Sequence, residues 1–510
     1  MSVAAAPASA SVAAPARELD VVIVGAGFAG LGMAAALRER GLEDFVVLEA
    51  AAGLGGTWRD NVYPGAACDV QSVLYSFSFA QHPGWTREFA PQAEILAYME
   101  EVAAARGLTP HLRYGRRVTS ARFDEARGRW ELETACGERY AARALVTATG
   151  GLSRPREPDI PGLAEFEGPR FHTARWETGA DLSGRIGVIG TGASAIQVVP
   201  ELAPSARALS LFQRTPPWIV PRADRARGAF SRGLWRWCPP LQRLARWLTY
   251  WRLESRVVAF ALQPSLMRLV ERVARQHLRE QVPDPELRAR LTPDYVIGCK
   301  RILLSDDYYP ALQRENVELV TEAIERITPR GVRTADGRER ELDALVLATG
   351  FHAADAMAPF PLLGRGGRSL DEAWRAGAAA YKGTTVSGFP NLFLLVGPNT
   401  GLGHSSMILM IESQVAYAAG AIRRLLARDL LLLDVRPDVQ ARYNERLQAR
   451  LAGTVWASGC QSWYRSASGQ NTTLWPGFTF EFRLRTRRFD AGSYEEVPRG
   501  ARRAAEERTV

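Results

Sequence analysis

The sequence predicts an α/β chain of two doubly wound domains, the second inserted in the first, with a helical accessory lobe. Three observations carry this expectation. A short β-branched run, a glycine turn and a helical pattern follow one another from position 20 and again from position 186. Two near-identical strand ends, Ala144-Leu-Val-Thr-Ala-Thr-Gly150 and Ala344-Leu-Val-Leu-Ala-Thr-Gly350, mark where the chain leaves the first domain and where it returns. Between them, positions 225–290 read as helical and rich in Trp, Arg and Leu.

The first unit opens with the strand DVVIV at 20–24, a run apolar enough to be buried on both faces. Gly25-Ala26-Gly27-Phe28-Ala29-Gly30 follows at once, then a helix through Leu37 and a strand from Phe45 to Leu48 that ends in Glu49. A GxGxxG alone is weak. Between strand and helix, with an acid 19 positions after Gly30, it reads as a dinucleotide site. The glycines let backbone approach a pyrophosphate at the helix N-terminus, and the acid accepts from an adenosine ribose. The candidate cofactor contacts here are Gly25, Gly27, Phe28, Ala29, Gly30 and Glu49.

The next cluster is Gly53-Leu-Gly-Gly56-Thr57-Trp58, followed by Tyr63-Pro-Gly65 and Asp69. Taken alone it fits a loop or a site equally well. As a site, Gly56, Thr57 and Trp58 pass close to a pyrophosphate, a tight turn delivers Asp69 towards the cofactor, and Tyr75 lies six positions on. Val118, at the head of a β-rich stretch over 116–140, joins the candidate cofactor contacts.

The second unit runs Ile186 to Ile189, Gly190-Thr191-Gly192-Ala193-Ser194-Ala195, a helix, and a strand from Ala208 to Phe212. Here the strand is followed by Arg214-Thr215 in place of an acid. A carboxylate would repel a ribose 2′-phosphate, whereas a guanidinium and a hydroxyl bind it. The first site is therefore expected to take FAD and the second NADPH, in two Rossmann-like dinucleotide-binding domains. The expected boundaries are a disordered tail at 1–18 and the FAD domain at 19–150 and 381–510, the latter including a C-terminal segment. The NADP domain falls at 151–224 and 301–380, and the helical lobe at 225–300.

Composition excludes several classes. The 510 residues suggest about two to four domains. An apolar fraction of 46% and a charged fraction of 23% are those of a soluble globular protein. No run approaches the ~18 apolar residues of a membrane span. The Ala-, Pro- and Ser-rich start lacks the basic and Leu-rich parts of a signal peptide, which places the protein in the cytoplasm. The net charge of +9 is spread over scattered arginines and reads as a solvated surface, not a nucleic-acid site. Nearly all 64 basic residues are Arg; the two lysines are Lys300 and Lys382, so a specific role for each is worth testing. Five dispersed cysteines without a CxxC argue against a disulfide framework, a zinc site and a redox dithiol, and six scattered histidines argue against any metal. In the Trp-rich stretch, a lobe packed over a substrate pocket is favoured over a membrane-surface helix.

With these motifs in hand, the chain resembles the class B flavoprotein monooxygenases, and within them the Baeyer–Villiger monooxygenases. The resemblance spans positions 20–490. Its sharpest part is Phe166-Glu-Gly168-Pro-Arg-Phe-His172-Thr173-Ala-Arg-Trp176-Glu177, which keeps the Phe, Gly, His and Trp of the family fingerprint and has Glu177 where the family has Pro or Asp. Lying in a linker, His172 reads as a hinge or hydrogen-bonding residue, not a base. The resemblance assigns Lys300 to the NADP 2′-phosphate beside Arg214, Arg301 to the reaction centre, Asp69 to its anchor, Trp463 to the nicotinamide ribose, and Met407 to the substrate pocket. It implies oxidation of a ketone to an ester or lactone by O2 and NADPH through a C4a-peroxyflavin; the Trp-rich lobe suggests a medium or bulky hydrophobic substrate. Arg301 and Asp69 are then the catalytic pair. The alternatives are a sulfide or amine oxygenase, a disulfide reductase, disfavoured by the missing CxxC, and a catalytically silent flavin-binding partner protein.

Overall fold

The computed structural model describes residues 16–352, 359–460, 462–466 and 469–500. The first domain is built on an eight-stranded sheet. At its centre β1 (Arg17–Val24) pairs in parallel with Arg139–Thr147 on one side and β2 (Phe45–Leu48) on the other. Both faces of these strands are covered, so Val21 through Ile23 and all of Phe45–Leu48 are buried. Leu112–Arg113 extends the sheet beyond β2. On the other flank Arg129–Thr134 and Val118–Asp124 run antiparallel, and Leu392–Leu394 also pairs with Arg139–Thr147. Helix α1 (Phe28–Glu39) and the long helix Met407–Ala427 pack together over one face, in one core with β1 and β2.

Two expected boundaries need correction. The tail ends before residue 18, because Arg17 and Glu18 already pair with Tyr140 and Ala141; residues 1–15 lie outside the described part. The chain also rejoins the first sheet well before 381. Leu362–Leu363 pairs with Ala121 and Arg122, since the exposed edge of the antiparallel ribbon needs a partner that the returning chain supplies first.

The second domain is a five-stranded, all-parallel sheet in the order Val317–Val320, Ala208–Phe212, Arg185–Ile189, Ala344–Leu347, Arg170–His172. A small antiparallel sheet of Ile324–Thr328, Gly331–Thr334 and Glu339–Glu341 leads into its strand Ala344–Leu347. The fingerprint segment forms one edge. A Cβ at Gly168 would lie 2.7 Å from the Asp343 carbonyl, so only glycine fits there. His172 is buried; its Nε2 donates to the Gly350 carbonyl at 3.0 Å and its Nδ1 accepts from Ala174 N–H at 3.0 Å. One nitrogen giving and one receiving fixes the neutral tautomer, and burial lowers its pKa accordingly.

The lobe holds helices Ala229–Trp237, Pro239–Glu254, Met267–Gln281 and Pro285–Arg290. Phe260, Met267 and Ala274 join a core with Trp218, Trp456 and Trp475. The lobe is expected to pack over a substrate pocket, and Phe260 and Met267 lie in the core against which Met407 packs, but the lobe's own tryptophans do not. Trp235 is buried, but Trp237, Trp247 and Trp251 face outward. No helix among the described residues is long and apolar enough to cross a membrane. The reading of the cysteines as unpaired also fails for one couple. Cys299 and Cys460, 161 residues apart in sequence, are joined as a disulfide with Cα atoms 6.3 Å apart. Tertiary folding makes that pair, and no spacing rule reports it.

Candidate active site

The first glycine turn divides its labour. A Cβ at Gly25 (φ +107°) would lie 2.6 Å from the Ala148 carbonyl, and one at Gly30 would enter the carbonyl of Gly25; both glycines are demanded by packing of strand against helix. The second turn repeats the contact, with Gly190 against the Ala348 carbonyl. This accounts for the near identity of the two strand ends, which must pass beneath equivalent turns. Gly27 and Gly192 are different. A Cβ at Gly27 would approach nothing nearer than the Gly56 Cα at 4.0 Å, and one at Gly192 would have nothing within 4 Å. Those two positions keep space open for a ligand.

Gly27 and Gly56 thus bring the first and third glycine clusters face to face, with Gly56 at φ +52° opening the short helix Thr57–Asp60. No side chain caps the N-terminus of α1, so its N–H groups point into that gap. Glu49 is buried and pre-positioned: Ala26 N–H and Ala51 N–H each donate to its carboxylate at 2.9 Å, and Arg59 Nη1 lies 3.1 Å away. Phe28 and Ala29 are buried beneath the turn, and Phe28 meets the Tyr75 ring edge-on at 5.3 Å. Trp58 Nε1 donates to the Tyr75 hydroxyl at 3.0 Å, and burial pushes that phenol far above its ordinary pKa. Val118 is buried at the start of its strand.

Across the cleft, Gly192 and Ala193 are exposed ahead of the helix Ala195–Leu202, with Ser194 at its N-cap. Thr191 Oγ1 donates to the Thr215 carbonyl at 2.9 Å, which ties the turn to the Arg214-Thr215 segment. Lys300 Nζ sits 4.4 Å over the Tyr295 ring. Burial first, and then the charge of Arg214, lower the Lys300 pKa; Asp294 offsets this only weakly. Two cations gathered in this way suit a dianionic group.

Arg301 and Asp69, 232 residues apart in sequence, are joined by a hydrogen-bonded ion pair from Nη2 to Oδ2. Their side chains remain 42% and 30% exposed, although protein atoms surround them, so the pair lies at the floor of an open cleft. The Asp69 charge raises the Arg301 pKa further, and the guanidinium is permanently cationic. Beside it, burial pushes the Tyr464 phenol up to about 12, and it raises the Cys68 thiol as well, so both stay protonated.

Asp69 is placed by a strap between the domains. Tyr63 Oη donates to Gln197 Oε1 at 2.8 Å, and Gln197 Nε2 donates to the Ala67 carbonyl at 3.0 Å. Gly65 (φ +78°) makes the turn, where a Cβ would stand 2.7 Å from the Gln197 carbonyl. Arg222 Nη2 holds the Cys68 carbonyl at 3.1 Å. Sequence reasoning passed over Gln197, Arg222 and Tyr464. For Gln197 there was one signal: it is a lone amide in the apolar run Ala195-Ile-Gln-Val-Val199.

Met407 stands at the N-terminus of its helix, capped by Ser406, against a wall of Trp218, Phe260, Trp456 and Tyr464. Trp463 is 45% exposed with its ring 4.4 Å from that of Tyr464. The Cys299–Cys460 disulfide fastens the segment carrying Lys300 and Arg301 to the one carrying Trp463. A separate cavity of about 320 Å³ lies between α1 and helices Met407–Ala427 and Thr479–Thr486; none of the candidate residues lines it.

This arrangement of two nucleotide turns around a cross-domain ion pair has relatives over nearly the whole chain. A Baeyer-Villiger monooxygenase of Pseudomonas aeruginosa is 51% identical over 94% of this chain and 92% of its own length. The chain belongs to the Baeyer–Villiger monooxygenase family. Residues 22–227 of this Baeyer–Villiger monooxygenase also match the pyridine nucleotide-disulphide oxidoreductase family model, the part that holds both glycine turns. A solved oxidized steroid monooxygenase bound to NADP superposes with a TM-score of 0.85, at 32% identity, over 94% of this chain and 99% of its own. A solved complex of OTEMO with FAD and NADP gives 0.85 at 28% identity, over 95% and 100%.

Proposed function

We propose that this Baeyer–Villiger monooxygenase uses FAD, NADPH and O2 to insert one oxygen atom into an apolar ketone, giving an ester or lactone. The ion pair between Arg301 and Asp69 carries the proposal, since it sets a fixed cation where both nucleotide turns converge. The residues fit the cofactors. Gly25, Gly27, Phe28, Ala29, Gly30 and Gly56 would hold FAD at its pyrophosphate and Glu49 at its ribose, with Thr57, Trp58, Tyr75, Asp69 and Val118 completing the bed. Gly190, Thr191, Gly192, Ala193 and Ser194 would hold NADPH, with Arg214, Thr215 and Lys300 for its 2′-phosphate and Trp463 for the nicotinamide ribose.

Reduced FAD supplies the activated oxygen, chemistry that side chains lack. The chain does the rest. As the carbonyl carbon becomes tetrahedral its oxygen gains negative charge, and Arg301 donates hydrogen bonds to it from a position that Asp69 already fixes. The pair exists beforehand, so little reorganisation accompanies the charge shift. Tyr464, neutral at working pH, offers a further donor. The wall of Trp218, Phe260, Trp456 and Met407 excludes water and favours a bulky apolar ketone.

The test is an incubation of FAD-loaded protein with NADPH, 18O2 and a panel of cyclic, linear and aryl ketones plus one thioether. An ester or lactone carrying one 18O is expected; sulfoxide as the only oxygenated product would overturn the reading. Arg301→Ala is expected to reduce flavin with NADPH normally while ester formation falls about a hundredfold or more, the scale of losing an oxyanion donor.

A further inference from the structure

We propose that the helical lobe docks this enzyme on an anionic lipid surface. Helix Pro239–Glu254 is amphipathic the wrong way round for a helix that covers a core. Its inner face is polar: Gln242 Nε2 donates to the His82 carbonyl at 2.8 Å, and Arg246 Nη1 donates to the Val73 and Ser76 carbonyls at 2.9 and 3.1 Å. Fully buried Glu254 accepts from Thr479 N–H at 2.9 Å and Thr479 Oγ1 at 2.7 Å. These bonds fix the helix rotation, and the apolar face is thereby turned outward. Leu244, Trp247, Leu248 and Trp251 occupy that face at helical spacing, and all are exposed.

The preceding helix, Ala229–Trp237, continues the surface. Phe230 and Trp237 are 85% and 88% exposed and Leu234 lies between them, one turn from each. Beyond the other end, Phe480 packs 6.0 Å from Trp251, and Leu484 is exposed one turn further. A single apolar strip thus crosses three helices.

Charge selects what covers it. No Asp or Glu occurs from position 229 to 253, while Arg232, Arg236, Arg243 and Arg252 do. None of these four guanidinium groups has a carboxylate partner among the described residues, so the surface beside the strip carries uncompensated positive charge. A second copy of this chain would set the same arginines against one another across a two-fold interface, which is unfavourable. A bilayer rich in anionic headgroups accepts both parts: tryptophans at the level of the headgroups, leucines just below, and arginines on phosphate. Docking there would also give the apolar wall around Met407 a membrane-dissolved source of substrate.

The test is flotation of the FAD-loaded full chain with vesicles of phosphatidylcholine and phosphatidylglycerol in equal parts, against vesicles of phosphatidylcholine alone. Binding to the mixed vesicles, a blue-shifted tryptophan emission and release by high salt are expected. A triple variant, Trp237→Ser with Trp247→Ser and Leu248→Ser, changes only exposed positions; its bound fraction is expected to fall about tenfold while NADPH oxidation with a water-soluble ketone is unchanged. Failure of the wild type to float with the mixed vesicles overturns the proposal. So does equal flotation of the variant, or a wild-type dimer that the variant converts to a monomer.

Discussion

Asp69 does for Arg301 what the strap does for Asp69, and each link can be cut separately. Asp69→Asn keeps the shape but removes the charge that anchors the guanidinium. The expected result is a turnover loss of about tenfold to a hundredfold with NADPH binding little changed, on the scale of a charge-assisted contact. Steady-state kinetics that show a raised KM for NADPH and an intact kcat would refute this. Gly65 tests the strap. Alanine there would have to hold a left-handed backbone and press on the Gln197 carbonyl. It is expected to cost about 1–3 kcal/mol of stability, read from the thermal midpoint.

At the scale of elements, the cleft depends on two cross-links between segments far apart in sequence. One is the pair of hydrogen bonds between Gln197 and the Tyr63–Asp69 loop, one accepted from Tyr63 and one donated to Ala67; the other is the Cys299–Cys460 disulfide. Cys460→Ser, or reduction of the native enzyme, is expected to raise KM for NADPH several-fold, because Trp463 and Lys300 then move independently. An unchanged KM would leave the disulfide a matter of stability alone. These links also show where the sequence stops being legible. The glycine turns, Glu49 and Arg214 could be read because each depends on neighbours within one βαβ unit. The two strand ends could be read because the same close contact recurs beneath each turn. Gln197, Tyr464 and the paired cysteines act across the domain boundary, where no local period reports them. The outward tryptophans were misread for a related reason. A helical period gives the width of an apolar face but not the direction it points, and here buried polar contacts of Gln242, Arg246 and Glu254 decide that.

For the whole molecule, two buried titratable groups set the response to pH: His172, which holds the Gly350 crossing, and Asp434, in the two-stranded sheet of Leu430–Val435 with Tyr494–Pro498. Burial raises the Asp434 pKa to about 7, against hydrogen bonds from Gly388 N–H and the charge of Arg365. A carboxylate with a raised folded pKa adds stability that is complete below its unfolded value, near 3.8, and is lost as pH rises through about 7. His172 works in the opposite sense: its lowered pKa adds stability that is complete above its unfolded value and is lost as pH falls below it. Asp434→Asn, measured against wild type by denaturant unfolding across this range, is expected to remove the decline between about pH 4 and pH 7. Parallel curves for the two proteins would show that Asp434 ionises at its ordinary pH.

The economy in lysine has a practical consequence. Of the two in 510 residues, Lys382 is 7% exposed, bonded to Asp490 at 2.8 Å and stacked 4.5 Å over Tyr417. Burial lowers the pKa of both, but Lys300 is the more accessible and has no carboxylate bonded to its amine. Apart from an α-amino group, an acylating dye therefore has one amine to find, and it lies in the nucleotide cleft. Labelling of the folded enzyme should give a single modified lysine by peptide mapping, and excess NADP+ should protect it. The enzyme comes equipped with its own attachment point for a reporter of cofactor occupancy.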